Sequence, residues 1–421
     1  MSIKNNILDA SINVSSETGK LIKVLVHRPD EGIEKVTPSR AVDLLYEDIV
    51  YLPKMKEEHD VFTEALSIFT GKDNLVDAQN LLADILEFPD VRKKLLDITF
   101  QLERLNDNSL KEISSLDSDL LASILITGTT GTKNIFNPLP NLIFTRDIGI
   151  VINDHLLIGL ASKDARKRES LIANFIFTYH PIFKELFDTD KLIDLSKGGQ
   201  TLLNGQENLS VEGGDVMLFN KDHLIMASSE RTSPLALQKL KDIIFSKGVV
   251  ERITMVDLPK NRYCMHLDTV FTKISTNECV AFEPLIMKDH KMSATQYTID
   301  GKAEVFPSLS SLLISDYPNM EFIECGEGIA PFDEREQWTD GCNLFAVKNG
   351  VCFTYDRNIK TNAALQEKGY RLIKASDLIL EFHKGTMSPD TIEKTIITLP
   401  SSELSRARGG PHCMTMPLIR S

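Results

Sequence analysis

Cys413 stands in Arg408-Gly409-Gly410-Pro411-His412-Cys413-Met414-Thr415-Met416-Pro417. Glycines and prolines on both sides exclude ordinary helix and predict a tight, exposed turn. A thiol presented that way, with cationic Arg408 close by, suits a nucleophile; a frayed tail with an incidental cysteine is the plain alternative. In Met265-His266-Leu267-Asp268, an extended backbone would put His266 and Asp268 on one face, with Leu267 packed behind. A histidine beside a carboxylate serves as acid or base near neutral pH, with zinc ligation and a hydrogen-bonded core pair as the competing readings. Val211-Glu212-Gly213-Gly214-Asp215 sets two acids around two glycines, so the backbone can approach a ligand while Glu212 points inward; an ordinary loop competes. Asn141-Leu142-Ile143-Phe144-Thr145-Arg146-Asp147 adds an amide, an aromatic ring and a carboxylate just before an apolar strand, where a plain loop-to-strand junction is the alternative.

Taken together these motifs describe a site with one cysteine, one histidine and several carboxylates, and no metal is expected. Converging carboxylates repel unless a cation joins them, and a planar guanidinium matches carboxylates bidentately. A thiolate can attack the guanidinium carbon, while histidine protonates the departing nitrogen and later activates water. Guanidine hydrolysis or transfer fits this set.

The elements around the motifs repeat. Segments 147–152 and 155–158, 215–219 and 223–226, 268–271 and 279–282, and 343–347 and 351–355 each read as strand, Asn/Asp/Gly-type turn, strand. Helical stretches come after some of them, as at 234–245 and 362–368, and a strand over 21–26 with the residues downstream of it would supply a fifth unit. Repetition at roughly 50 to 75 residues predicts modules around an axis. The polar openers Asp147, Glu212/Asp215, His266/Asp268 and Asn343 would meet there, with Cys413 opening the last module; Asn343 receives no role. Residues 78–127 read as an inserted all-helical unit. Val91, Leu95, Ile98, Leu102 and Leu105 recur at helical spacing. Pro89-Asp90 marks a start, Asn106-Asp107-Asn108 a stop, and Ser109 with Glu112 the capping box of a further helix.

At 421 residues the chain can hold one large domain or two smaller ones. A formal net charge of −13 disfavours a nucleic-acid surface and suits a cationic ligand. Cys264, Cys279, Cys325, Cys342, Cys352 and Cys413 form no CxxC pair and no finger spacing with histidine, against structural zinc. Residues 1–10 lack a signal pattern, and no apolar run approaches the roughly 18 residues of a membrane span. The chain reads as a soluble, cytoplasmic protein.

The motifs, with Ser16-Glu17-Thr18-Gly19-Lys20-Leu21, Val26-His27-Arg28-Pro29, Glu57-Glu58-His59-Asp60 and Arg335-Glu336-Gln337-Trp338, resemble in order and spacing the arginine deiminases of the guanidine-modifying superfamily. Residues from about 65 to 130 are the stretch that aligns poorly. The resemblance implies an α/β fold, a pseudo-fivefold propeller of ββαβ modules over 1–77 and 128–421, with a helical subdomain inserted at 78–127. It implies hydrolysis of free L-arginine to L-citrulline and ammonia, the first step of arginine catabolism, by a homo-oligomer (dimer or higher) without cofactor. Cys413 would be the nucleophile that forms an amidino-thioether. His266 would be the acid/base, Asp147 and Asp268 the guanidinium grip, and Glu212 a further holder that helps position His266 or water. Arg166 and Arg231 would bind the substrate α-carboxylate, Asn141 and Phe144 would line the pocket, and Arg408 would gate it. An amidinotransferase and a catalytically silent arginine-binding homologue are the alternatives. A peptidyl-arginine deiminase is disfavoured, because Arg166 and Arg231 would clamp a free carboxylate and no calcium loop is apparent.

Overall fold

The computed structural model describes residues 11–104, 112–131, 133–204 and 209–421. Their strands form five sheets, and each contains an antiparallel pair whose inner strand also has a parallel neighbour. In the first, Gly149–Ile152 pairs antiparallel with His155–Ile158, and Leu192–Ile193 returns parallel after the helix Lys167–Tyr179. Val216–Asn220, His223–Ser228, the helix Pro234–Ser246 and Arg252–Asp257 repeat that order. So do Phe271–Lys273, Glu278–Ala281, Leu309–Asp316 and Glu321–Glu324. The fourth unit is Phe345–Lys348, Val351–Tyr355, Ile359–Glu367 and Thr395–Leu399.

The predicted hairpins are all present. Their strands read as apolar runs rather than alternations because both faces are covered, so Ile150, Val151, Ile152, Leu156, Leu157 and Ile158 are all buried. The fifth unit joins the two ends of the chain. Met416–Arg420, near the C-terminus, pairs antiparallel with Leu21–Val26, which continues through the helix Leu52–Thr70 to parallel Leu75–Asp77. The segment after Cys413 therefore opens a unit that the N-terminal strand completes.

Helices Ala78–Leu86, Pro89–Glu103 and Ser118–Thr127 occupy the stretch expected to be helical. Asp77 caps the first by accepting from the Gln79 backbone N–H at 2.8 Å. Their apolar faces join one core with Ile150, Leu157, Leu171 and Phe175 of the first unit. Leu105, the Asn106-Asp107-Asn108 stop and Ser109 of the capping box lie outside the described residues. Among the described residues no helix is long and apolar enough to cross a membrane.

Candidate active site

The polar openers are not strand residues. Each sits in a short turn just before its strand: Asp147 in Thr145–Ile148, Asp215 in Gly213–Asp215, Asp268 in Leu267–Thr269. These turns are bolted to one another by buried hydrogen bonds. The Arg146 N–H donates to the Cys413 carbonyl at 3.1 Å, and Thr145 Oγ1 donates to the carbonyls of Leu25 and Met414 at 3.0 and 3.1 Å. Asp215 accepts from the Leu267 N–H at 3.0 Å and from Ser229 Oγ at 2.6 Å, so it braces two turns instead of facing the pocket. The glycines are required by this proximity: a Cβ on Gly213 would lie 2.1 Å from the Arg146 carbonyl oxygen, and one on Gly214 2.8 Å from the His266 ring.

His266 and Asp268 diverge, contrary to the same-face expectation, because the chain coils through Leu267–Thr269 and does not stay extended. His266 Nε2 lies 3.0 Å from Glu212 Oε2, and its Nδ1 is 3.7 Å from Asp147 Oδ1. Burial disfavours the imidazolium, but Asp147, Glu212 and Asp215 outweigh it and push His266 up to about 10, so it carries a proton at neutral pH. Asp268 Oδ2 takes a hydrogen bond at 2.9 Å from His412 Nδ1 and faces Cys413 Sγ at 3.6 Å. His412 Nε2 in turn meets Glu17 Oε2 at 3.1 Å, and Glu17 is anchored by Arg146 at 2.6 Å.

Cys413 is 5 % exposed, not presented on an open turn. Burial and the charges of Asp268, Asp147 and Asp340 push its thiol well above the ordinary range. Without a ligand Cys413 is therefore a thiol, and nearby Arg408 does not reverse that. Two carboxylate oxygens beside it, Asp147 Oδ1 and Asp268 Oδ1, are buried with no hydrogen-bond partner. Leaving such acceptors unpaired costs roughly 1–3 kcal/mol each, more for charged groups, so a cationic donor brought to them is favoured.

A cavity of about 20 Å³ adjoins them, room for one water. Asn141, Phe144, Asp147, Arg166, Arg231, His266, Arg408 and Cys413 line it; Glu212 and Asp268 stand behind His266 and Cys413. Asn141 is fixed by donating from Nδ2 to the Leu44 carbonyl at 2.7 Å. Arg166 is expected to bind the substrate α-carboxylate and here is paired with acids of the protein. Its guanidinium faces Asp147 at 2.7 Å, Glu169 at 2.8 Å and Glu212 at 3.0 Å, all within the protein, instead of an open anion site. Asp147, Glu212 and His266 offer ligand atoms within 4.8 Å of one another, the spacing a metal ion would also ask for; here Arg166 supplies the cation. Arg231 is buried with Nε and Nη1 unpartnered, Nη2 lying 4.0 Å from Met265 Sδ.

Leu45, Arg262, Met265, Thr269 and Ala407 also line the cavity, and no motif spacing singles them out in the sequence. Asn343, in sequence a mere hairpin opener, proves to hold the site together. Its Oδ1 accepts from the Cys413 N–H at 3.0 Å and its Nδ2 donates to the Asp268 carbonyl at 2.9 Å, so one amide spaces nucleophile and carboxylate. Asn343→Ala leaves both backbone groups unpaired. It is expected to cost about 1–3 kcal/mol in urea unfolding and to lower kcat about tenfold with little change in KM, as a misplaced nucleophile should. Wild-type kcat in this variant would remove Asn343 from positioning.

Solved structures share the fold, two of them as follows. SxtG, an amidinotransferase from Microseira wollei, gives a TM-score of 0.54 at 10 % identity, covering 97 % of both chains. A single-substitution variant of the N-terminal domain of ArgZ, covalently bound to a reaction intermediate, gives 0.50 at 14 % identity, covering 95 % of this chain and 98 % of that one. The chain thus has the mixed α/β fold of these structures, with a buried cluster of Cys413, His266 and carboxylates. Sequence narrows the class. The arginine deiminase family profile matches residues 111–420. Arginine deiminase of Borreliella afzelii is 33 % identical over 443 residues, covering 97 % of this chain and 98 % of that protein. That of Latilactobacillus sakei subsp. sakei (strain 23K) is 31 % identical over 452 residues, covering 98 % and 99 %. The chain belongs to the arginine deiminase family.

Proposed function

We propose that this protein hydrolyses the guanidinium group of free L-arginine to give L-citrulline and ammonia through a covalent amidino-cysteine. The observation that carries this reading is the pair of buried, unpartnered oxygens on Asp147 and Asp268 beside the Cys413 thiol. A guanidinium is the group whose N–H donors and charge satisfy both.

Its charge also offsets the carboxylates that hold the thiol proton, so binding releases that proton and generates the thiolate where the electrophile lies. Sγ bonds to the guanidinium carbon; His266 gives its proton to the departing nitrogen, and the C–N bond breaks to release ammonia. Neutral His266, held by Glu212, then accepts a proton from water as its oxygen bonds to the same carbon. Collapse of that adduct expels the Cys413 sulfur, which takes up the hydroxyl proton to become a thiol again, and leaves the citrulline carbonyl; the proton the thiol first released goes to solvent. Arg231, with two free buried nitrogens, takes the α-carboxylate; Arg166 adds to that only by releasing Asp147. Asn141 and Phe144 shape the wall and Arg408 gates it.

In this reading the five ββαβ units stand around a pseudo-fivefold axis as a propeller, residues 78–127 form a helical insertion, and the turns meet at the axis. Six unpaired cysteines support a reducing compartment, the cytoplasm. The place at the head of arginine catabolism and a homo-oligomeric state rest on the family alone.

The test is stoichiometry: purified protein with free arginine is expected to give citrulline and ammonia in equal amounts. An amidino group passed instead to added glycine or ornithine would overturn hydrolysis. Arg231→Ala is expected to raise KM for arginine by about ten- to a hundredfold with a smaller fall in kcat, while KM for arginine methyl ester changes little. An unchanged KM for arginine removes Arg231 from carboxylate binding.

A further inference from the structure

Arg408 is a buried guanidinium with few hydrogen bonds. Nε and Nη1 have no partner, and Nη2 reaches the Tyr263 carbonyl only at 3.4 Å. Asp340 and Glu47 lend it charge without hydrogen bonds. What it does have is a face: its guanidinium carbon lies 3.5 Å from the ring centroid of Trp338. Indole is the strongest aromatic partner for a cation, more so once the pair is shielded from water.

The indole is held on a braced support. Trp338 ends the helix Phe332–Trp338, where Glu336 accepts from the Lys360 and Thr361 N–H groups, each at 2.7 Å. Gln337 Nε2 donates to the carbonyls of Tyr263 at 2.6 Å and Thr269 at 3.0 Å, tying the support to the pocket wall. Arg408 itself follows the short helical turn Leu404–Ala407, and the next carbonyl, that of Gly409, accepts from Tyr355 Oη at 2.6 Å. The Arg408 backbone is left-handed at φ 64°, and the next residue, Gly409, lies so near Phe144 that a Cβ would fall 2.2 Å from Cε1. With Arg408 in this place the cavity holds about one water and no arginine side chain.

We propose that Trp338 is the resting surface of Arg408, a positioning residue whose stack competes with substrate for the pocket. The proposal rests on the arginine-hydrolysing reading above. Trp338 is 41 % exposed, so a departing guanidinium leaves an indole already half in water. Arginine must displace the stack, and part of its binding energy is spent in doing so.

Trp338→Leu is therefore expected to lower KM for arginine about three- to tenfold, with kcat moving much less and Trp338→Phe falling between. Because Trp338 is the sole tryptophan, its emission reports the stack directly. In Cys413→Ala, saturating arginine should shift emission to that of Arg408→Leu without ligand, and Arg408→Leu should show no further shift. An equal or higher KM in Trp338→Leu overturns the proposal, as does emission that arginine leaves unmoved while wild-type protein makes citrulline. If wild-type protein makes none, the hydrolytic reading falls instead, and identical emission from ligand-free wild type and Arg408→Leu then overturns the stack.

Discussion

Cys413→Ser is expected to lower citrulline formation from arginine by on the order of 10⁴-fold or more, the scale seen when a covalent nucleophile is removed from an assembled site. The change is nearly isosteric, so the hydrogen bond from the residue-413 N–H to Asn343 and the packing of the turn should persist. What is lost is ionisation. Burial and the surrounding carboxylates already push the thiol well above its ordinary range, and an arriving guanidinium brings it back within reach. A hydroxyl starts several units higher, and the same cation cannot recover that distance. Mass spectrometry supplies a second check: arginine quenched during turnover should leave an amidino adduct on wild-type protein and none on the variant. Turnover of Cys413→Ser within tenfold of wild type would sink the covalent scheme.

Asp268→Asn should cost about 10²- to 10³-fold in kcat/KM, because an anion that grips the guanidinium becomes an amide facing it. Its diagnostic value lies in two effects of opposite sign. Burial pulls Asp268 up, but the hydrogen bond from His412 and nearby positive charge hold it below the usual carboxylate range, so it is an anion at neutral pH. That anion is also one of the charges that push the Cys413 thiol up. Removing it should let Cys413 ionise at lower pH and react faster with iodoacetamide, while turnover falls. A merely misfolded variant would lose turnover and show indiscriminate thiol exposure at all six cysteines. Turnover within tenfold of wild type would remove Asp268 from the grip.

The hairpins were legible because each is an apolar run, a turn of Asn, Asp or Gly type, and a second run, a pattern set by neighbours in sequence. The polar residues set before those runs were legible too, and Asp147, Glu212, His266 and Asp268 are all buried, though so are acids such as Glu17, Glu169 and Asp340 that no motif singled out as chemistry. What was not legible is set by contacts across the fold. Asn343 touches the Cys413 backbone 70 positions away, and nothing in its own neighbourhood distinguishes it from a turn former. The divergence of His266 and Asp268 depends on one turn of 3₁₀ helix that sequence does not separate from a strand start. Arg166 lies in a run of charges that suits a solvated surface equally well, and only the convergence of Asp147, Glu169 and Glu212 on it reveals a buried guanidinium.

The pairing of Met416–Arg420 with Leu21–Val26 bears on when the protein becomes active. Cys413, the proposed nucleophile, lies just before Met416–Arg420, and the partner of that strand is synthesised long before it. Four units each pair a hairpin and its return strand within one stretch of sequence and can condense while synthesis continues, but the edge of Leu21–Val26 waits for a segment almost four hundred residues downstream. In the proposed mechanism His266, Glu212, Asp147 and Asp268 can thus be in place before the Cys413 thiol reaches them. Closing the sheet and arming the site would then be one event, with no arginine consumed until Met416–Arg420 has zipped onto Leu21–Val26.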